Sequence, residues 1–307
     1  MRIAIIGRTE ILYETAERLH AQGHEIGLVL TTKAAPEYTV TEDDFECLAQ
    51  KHGAPFIKTA RIVDTIEAIK AMPVMDIAVS LNYSGVIPQS VIDCFRLGIL
   101  NAHAGDLPRY RGNACLAWAI LNSEAKIGLC IHSMIGGELD SGGIIARDYF
   151  PLTLDTKITA VWEWMGLRIP ELFGNALGIL EKNPDFVLEQ QSKDPKDALR
   201  CYPRRPEDGR IDWKKDALDI LRLVNACNKP YAGAFCEYEG ETLIIWDAML
   251  LNDGENYLAV PGQITRIGDG FVEVATGDGK LRIHQIEFKS ELITPDKLIP
   301  SIRKRFC

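Results

Sequence analysis

Asn101, His103 and Asp140 are the residues of this chain whose types and spacing could do chemistry. Asn101 and His103 stand two apart behind the apolar lead Gly98-Ile99-Leu100, and a strand puts residues i and i+2 on one face. Both side chains can therefore address one small volume. A second apolar run, Ile127 to Ile131, leads through His132 to Glu138-Leu139-Asp140-Ser141-Gly142-Gly143. An amide that donates hydrogen bonds, an imidazole that moves protons and a carboxylate are together the equipment of acyl transfer. Each has an ordinary reading taken singly: a turn former, a satisfied imidazole, an Asx turn before Ser-Gly-Gly. Their order, each after its own apolar run, is what points to catalysis. His132 lies one strand away and is assigned a structural hydrogen bond.

The elements that must position these residues follow an α/β pattern. Arg2 to Ile6 reads as a strand, Glu10 to Gln22 as a helix closed by Gly23, and Glu25 to Leu30 as a second strand. Strand, helix, strand is the opening of a parallel sheet. The first turn, Gly7-Arg8-Thr9-Glu10, lacks the G-x-G-x-x-G of a dinucleotide fold, which disfavours hydride transfer on NAD. Thr9 reads as a helix N-cap, and Arg8 as a surface arginine that could also reach an anion. Asp76 to Leu81 is a buried strand entering Asn82-Tyr83-Ser84-Gly85-Val86-Ile87-Pro88 and a helix from about Gln89. Loops after strand carboxyl ends are where open α/β sheets bind ligands. Ala114 to Leu121 reads as a helix, with Cys115 a buried filler. Thr156 to Glu181 is a long helix that Pro170 kinks or divides. Asn183 to Asp208, rich in proline and charge, has the composition of a linker. Beyond it come a helix from Asp212-Trp213 to about Cys227 and five short strands between Ala234 and Phe288, the spacing of a small barrel or sandwich.

Bulk properties narrow the partners. The chain has 307 residues, enough for about two domains, and 47% hydrophobic against 25% charged residues marks an ordinary globular protein. A net charge of −9 argues against a broad nucleic-acid footprint but leaves room for a local basic pocket. The stretch Thr31 to Gln50 sets one lysine against five acids, with a capped helix from Thr41. None of the eight cysteines forms a Cys-x-x-Cys pair, so no zinc ribbon is indicated and a reducing compartment fits. No apolar run reaches the roughly 18 residues of a membrane span, and the amino terminus reads as a strand rather than a signal peptide. A cytoplasmic location follows from this reading.

Asn101-x-His103, then Leu107-Pro108-Arg109-Tyr110-Arg111-Gly112, then Asp140-Ser141-Gly142-Gly143, resembles the signature of the folate-dependent formyltransferases. That family includes methionyl-tRNA formyltransferases and sugar-nucleotide N-formyltransferases. Asp208 to Trp213 and Pro230 to Phe235 resemble its carboxy-terminal module, so the likeness covers nearly the whole chain. The resemblance implies a Rossmann-like, mostly parallel catalytic domain over 1–190, a linker over 191–208 and an OB-like β-barrel over 209–307. It implies N10-formyltetrahydrofolate as formyl donor, no metal, and catalysis by Asn101, His103 and Asp140. It places the folate against Asn82, Tyr83, Gly85, Val86, Ile87, Gly136, Leu139 and Asp140, and the substrate against Arg8, Thr9, Tyr110, Arg111 and Gly112.

Two positions depart from the family's common form: Gly105-Asp106 stands where many members have Ser-Leu, and Cys115 where proline is frequent. The absence of a long basic loop before Gln50 and the Arg111-Gly112-Asn113-Ala114 variant favour a nucleotide-linked amino sugar as acceptor, on a route to surface polysaccharide. Methionyl-tRNA is the alternative, although Asn225 replaces an arginine frequent in the carboxy-terminal helix. A non-catalytic folate-binding or assembly module is the reading of another class. Oligomeric state stays open, a homodimer through the carboxy-terminal half included.

Overall fold

The computed structural model describes residues 1–252 and 254–307. They divide into two compact units. The first comprises Met1–Cys115, Ile127–Phe150 and Trp162–Tyr202; the second comprises Leu116–Lys126, Pro151–Val161 and Pro203–Cys307.

Strand β1 (Arg2–Gly7) leads to helix α1 (Glu10–Ala21), then β2 (Glu25–Thr31), α2 (Glu42–Lys51) and β3 (Phe56–Lys58). The Thr9 side chain accepts from Leu12 N and caps α1, while Leu12, Ala16 and Leu19 form its buried face. In α2, Thr41 and Asp44 form a reciprocal capping box. After α3 (Ile66–Lys70) come β4 (Ile77–Leu81), α4 (Gln89–Ile92) and β5 (Ile99–His103). All five residues of β4 are buried, as in a strand covered on both faces. The chain continues through β6 (Arg111–Gly112), α5 (Cys115–Leu121), β7 (Lys126–Ser133), β8 (Ile144–Pro151), α6 (Ile158–Lys182) and β9 (Arg200–Cys201).

Seven strands form one sheet in the order β3-β2-β1-β4-β5-β7-β8. Pairing is parallel from β3 to β5, and β7 then runs antiparallel to β5. Strand order reverses between β1 and β4, so the Gly7–Glu10 turn and the Asn82–Gln89 loop both leave the carboxyl edge at a topological switch point. The mixed, mostly parallel α/β class expected from the sequence is the one observed.

The second unit contains α7 (Ala217–Ala226) and an antiparallel sheet of β10 (Ala234–Tyr238), β11 (Glu241–Leu251), β12 (Ile264–Gly268), β13 (Phe271–Ala275), β14 (Lys280–Phe288) and β15 (Glu291–Ile293). Trp213, Leu221, Ile245, Ile283 and Phe306 share its apolar core.

Three expectations need correction. Helix α6 is a single element of 25 residues with Pro170 inside it, so the proline does not divide it. Helix α7 begins at Ala217 rather than Asp212: Asp212 Oδ1 takes Lys214 N in a local turn, and Asp216 is the cap. The stretch read as linker is tied down in the first unit as far as Tyr202, and its last residues from Pro203 belong to the second. Glu189 bridges to Ile144, and β9 pairs with β6. Among the described residues, no helix is long and apolar enough to cross a membrane.

Candidate active site

The antiparallel register of β5 and β7 sets Asn101 opposite His132 and His103 opposite Cys130. Directly opposed residues on one face of a sheet touch. His132 Nδ1 lies 2.8 Å from the Ser133 carbonyl, which can only accept, so that nitrogen carries the proton. Its Nε2 then accepts from Asn101 Nδ2, 3.3 Å away. The structural bond expected of His132 exists, but its other nitrogen also lies 3.6 Å from Asp140 Oδ1. This imidazole fixes one hydrogen of the Asn101 amide and leaves the second to donate elsewhere.

His103, only 8% exposed, sits between two acceptors. Its Nε2 is 2.6 Å from the Tyr110 carbonyl and its Nδ1 is 3.5 Å from Asp140 Oδ2. Burial pulls its pKa below the ordinary value, with Asp140 opposing and His132 adding to the effect. Burial also works against the Asp140 charge, but His103, His132 and the Gly112 N–H outweigh it and hold the carboxyl well below the usual range. Asp140 thus lies beside His103 and His132, and Asn101 is joined to this pair through His132.

The Asp140 turn is built for that approach. Asp140 has φ 47°, and the Gly112 N–H donates to its Oδ2 at 2.8 Å. A Cβ on Gly142 would lie 1.9 Å from the Ser133 carbonyl, so only glycine lets the turn fold back against β7. Gln191 was missed by sequence reasoning because it lay in apparent linker. Its Nε2 donates to the carbonyls of Asp140 and Gly142, each at 2.8 Å, and its Oε1 accepts from Arg111 at 2.7 Å. A lone glutamine carries no spacing signal, so only the fold could reveal it. Arg111, Arg200, Glu138, Leu139 and Ser141 line a cavity of about 360 Å³ beside this turn. A larger cavity, about 710 Å³, lies by Asp106, Arg109, Arg147 and Tyr149, and none of the three central side chains lines it.

The two loops assigned to the folate come together. Gly136 N donates to Gln89 Oε1 at 2.9 Å, and a Cβ on Gly136 would strike Gln89 N at 2.2 Å. Val86, Ile135 and Leu139 are exposed apolar side chains on these loops, at 80%, 40% and 39%. Asn82 and Tyr83 are anchors: Asn82 Nδ2 donates to Tyr38 Oη and Tyr83 Oη to the Thr59 carbonyl. Gly85 packs near the Tyr83 ring. Ile87 is only 3% exposed and its side chain belongs to the core.

The substrate residues need more revision. Thr9 is fully buried and its hydroxyl is spent on the α1 cap. Arg8 donates to the carbonyls of Asn82 and Lys33 and lies over the Tyr38 ring, so it pins two loops together. The Tyr110 ring is buried, and what Tyr110 gives the site is its carbonyl. Arg111 and Gly112 stay at the cavity and the carboxylate respectively. Among the described residues, no group of three or more His, Cys, Asp or Glu side chains could hold a metal ion.

Comparison with known proteins gives the family. Residues 1–163 match the model of the formyl transferase family, and 204–298 match that of the formyl transferase C-terminal domain. A methionyl-tRNA formyltransferase of Geotalea uraniireducens is 29% identical over 95% of this chain and 91% of its own. One from Coxiella burnetii is 28% identical over 98% of each. Among solved structures, WlaRD, a sugar 3N-formyltransferase with dTDP and 5-N-formyl-THF, superposes with TM-score 0.68 at 16% identity, over 95% of this chain and 98% of that one. HypX from Aquifex aeolicus in complex with tetrahydrofolic acid gives 0.65 at 20% identity over 98% of this chain, which spans about half (47%) of HypX. These last two likenesses speak to the fold. With the family model matched over more than half its length, the chain belongs to the formyl transferase family and is a one-carbon transferase.

Proposed function

We propose that this chain moves the formyl group of N10-formyltetrahydrofolate to a primary amine, with Asn101, His103 and Asp140 as the catalytic residues. The observation that carries the reading is the contact of Asp140 with His103 and His132, the latter holding Asn101. Charge develops on the formyl oxygen as the amine attacks, and the second hydrogen of the Asn101 amide is the donor available to it. His103 takes the proton the amine loses and passes it to N10 of the folate as the formyl carbon–N10 bond breaks, while Asp140, charged throughout, steadies the imidazolium in between. The apolar side chains of Val86, Ile135 and Leu139 suit the flat face of a pterin, and the Gly136–Gln89 contact holds their two loops in register. A cytoplasmic setting, where reduced folates and activated acceptors are made, fits this use.

Two acceptors compete. The two sequence relatives named above, methionyl-tRNA formyltransferases matched over almost their whole length, back methionyl-tRNA better than an amino sugar. Charge supports the nucleotide-linked amino sugar. The segment between β2 and α2 carries Lys33 and Glu37, and α2 opens with Glu42, Asp43 and Asp44. In the second unit Arg210, Arg282, Lys289 and Lys304 are each paired with a carboxylate. Such pairs offer little net field to a phosphate backbone. Incubation with N10-formyltetrahydrofolate and either methionyl-tRNA or a panel of nucleotide-linked amino sugars, read by mass spectrometry for one added formyl group, decides between them. Asn101→Ala should lower the rate on whichever acceptor reacts by about 10²–10³-fold. A wild-type rate in a folded variant would remove Asn101 from the mechanism.

A further inference from the structure

Three groups outside the catalytic side chains converge on His103. The Tyr110 carbonyl accepts from His103 Nε2 at 2.6 Å and from the Cys115 thiol at 3.0 Å, and Cys115 Sγ lies 3.8 Å from the same Nε2. Tyr110 is held at φ 57°, a left-handed conformation that costs a tyrosine energy unless its surroundings enforce it. A Cβ at Gly105 would sit 2.4 Å from that carbonyl oxygen and 2.7 Å from His103 Nε2. Burial pushes the Cys115 thiol pKa far up, so the sulfur keeps its hydrogen and remains a donor.

A carbonyl can only accept, so Nε2 must hold a hydrogen for as long as this contact lasts. The nitrogen left to change protonation is Nδ1, which faces Asp140. The charged or titratable groups around the ring are Asp140 from its turn, His132 and Cys130 from β7, Arg111 from β6 and Cys115 from α5. We propose that Gly105, Tyr110 and Cys115 form a clamp that commits His103 Nε2–H to the Tyr110 carbonyl, so that the catalytic proton enters and leaves at Nδ1, on the Asp140 side. Gly105 and Cys115 are positioning residues: one makes the room and the other anchors the carbonyl. The clamp's catalytic use rests on the formyl-transfer reading, but its existence can be tested without any acceptor.

The test is ¹H–¹⁵N NMR of the full chain labelled with ¹⁵N-histidine, with the His103 signals assigned by their loss in His103→Gln. The wild type should show the Nε2–H tautomer, with Nδ1 as the titrating nitrogen. Cys115→Ser keeps a donor and should keep that pattern. Cys115→Ala and Gly105→Ala should give mixed tautomers and lower the His103 pKa by about half to one unit, the worth of one weakened hydrogen bond. An Nδ1–H tautomer in the wild type overturns the proposal. So does a wild-type tautomer and titration in folded Cys115→Ala, the variant that decides the matter if Gly105→Ala fails to fold. Failure to formylate a given amine leaves these spectra unchanged and bears only on the function proposed above.

Discussion

At the scale of single residues, the site works by giving each polar group a partner that limits what it can do. His132 holds one hydrogen of Asn101, Gly112 holds one oxygen of Asp140, and the Tyr110 carbonyl holds one nitrogen of His103. Because burial lowers the His103 pKa, the ring is neutral and ready to accept a proton at pH 7, and protonation removes activity only below the ordinary value of about 6.5. The acid limb of kcat/KM against pH should therefore lie below 6.5. Asp140 is the group that favours the protonated ring, so in Asp140→Asn the His103 pKa should fall further. The acid limb of that variant should move to lower pH while its maximal rate drops about 10²–10⁴-fold. An acid limb that moves to higher pH would show that Asp140 does not support the imidazolium.

At the scale of elements, the carboxylate proposed for catalysis depends on a segment far away in sequence. Gln191 ties two carbonyls of the Asp140 turn to Arg111. Gln191→Leu leaves those buried groups unpaired and should cost about 1–3 kcal/mol of stability, read by urea unfolding, together with a loss of kcat. Full activity with lowered stability would restrict Gln191 to a structural role. The opposite outcome is expected at Thr9. Thr9→Ala removes the α1 cap and should cost about 1 kcal/mol while leaving KM for the acceptor unchanged. A large rise in that KM would return Thr9 to the substrate site.

At the scale of the molecule, net charge and its local pairing bear on the acceptor. The chain carries −9, and several basic side chains of its second unit face carboxylates. If the acceptor is a nucleotide-linked sugar, tRNA binding should be weak and almost indifferent to salt in a filter-binding titration. If it is methionyl-tRNA, affinity should fall about 10³–10⁵-fold between 50 and 200 mM salt, as for proteins making several phosphate contacts.

The sequence by itself determined the chemistry and the class of fold. Apolar runs mark β1, β4 and β5, period-3.6 spacing and caps mark α1 and α2, and Asn101-x-His103 with Asp140 marks the proposed catalytic set. Those signals are local, because strand alternation and helix spacing are written into neighbouring residues. What only tertiary structure decided lay across long separations: His132 facing Asn101 through β5–β7 register, Gln191 reaching back to Asp140, and Tyr110 offering a carbonyl rather than a ring. The cap expected of Thr9 is present, but the loop carbonyls that occupy Arg8 come from two distant segments. Whether a polar side chain faces a ligand or is consumed by its own backbone depends on which groups the fold brings within about 3 Å, and no pattern in nearby sequence records that distance.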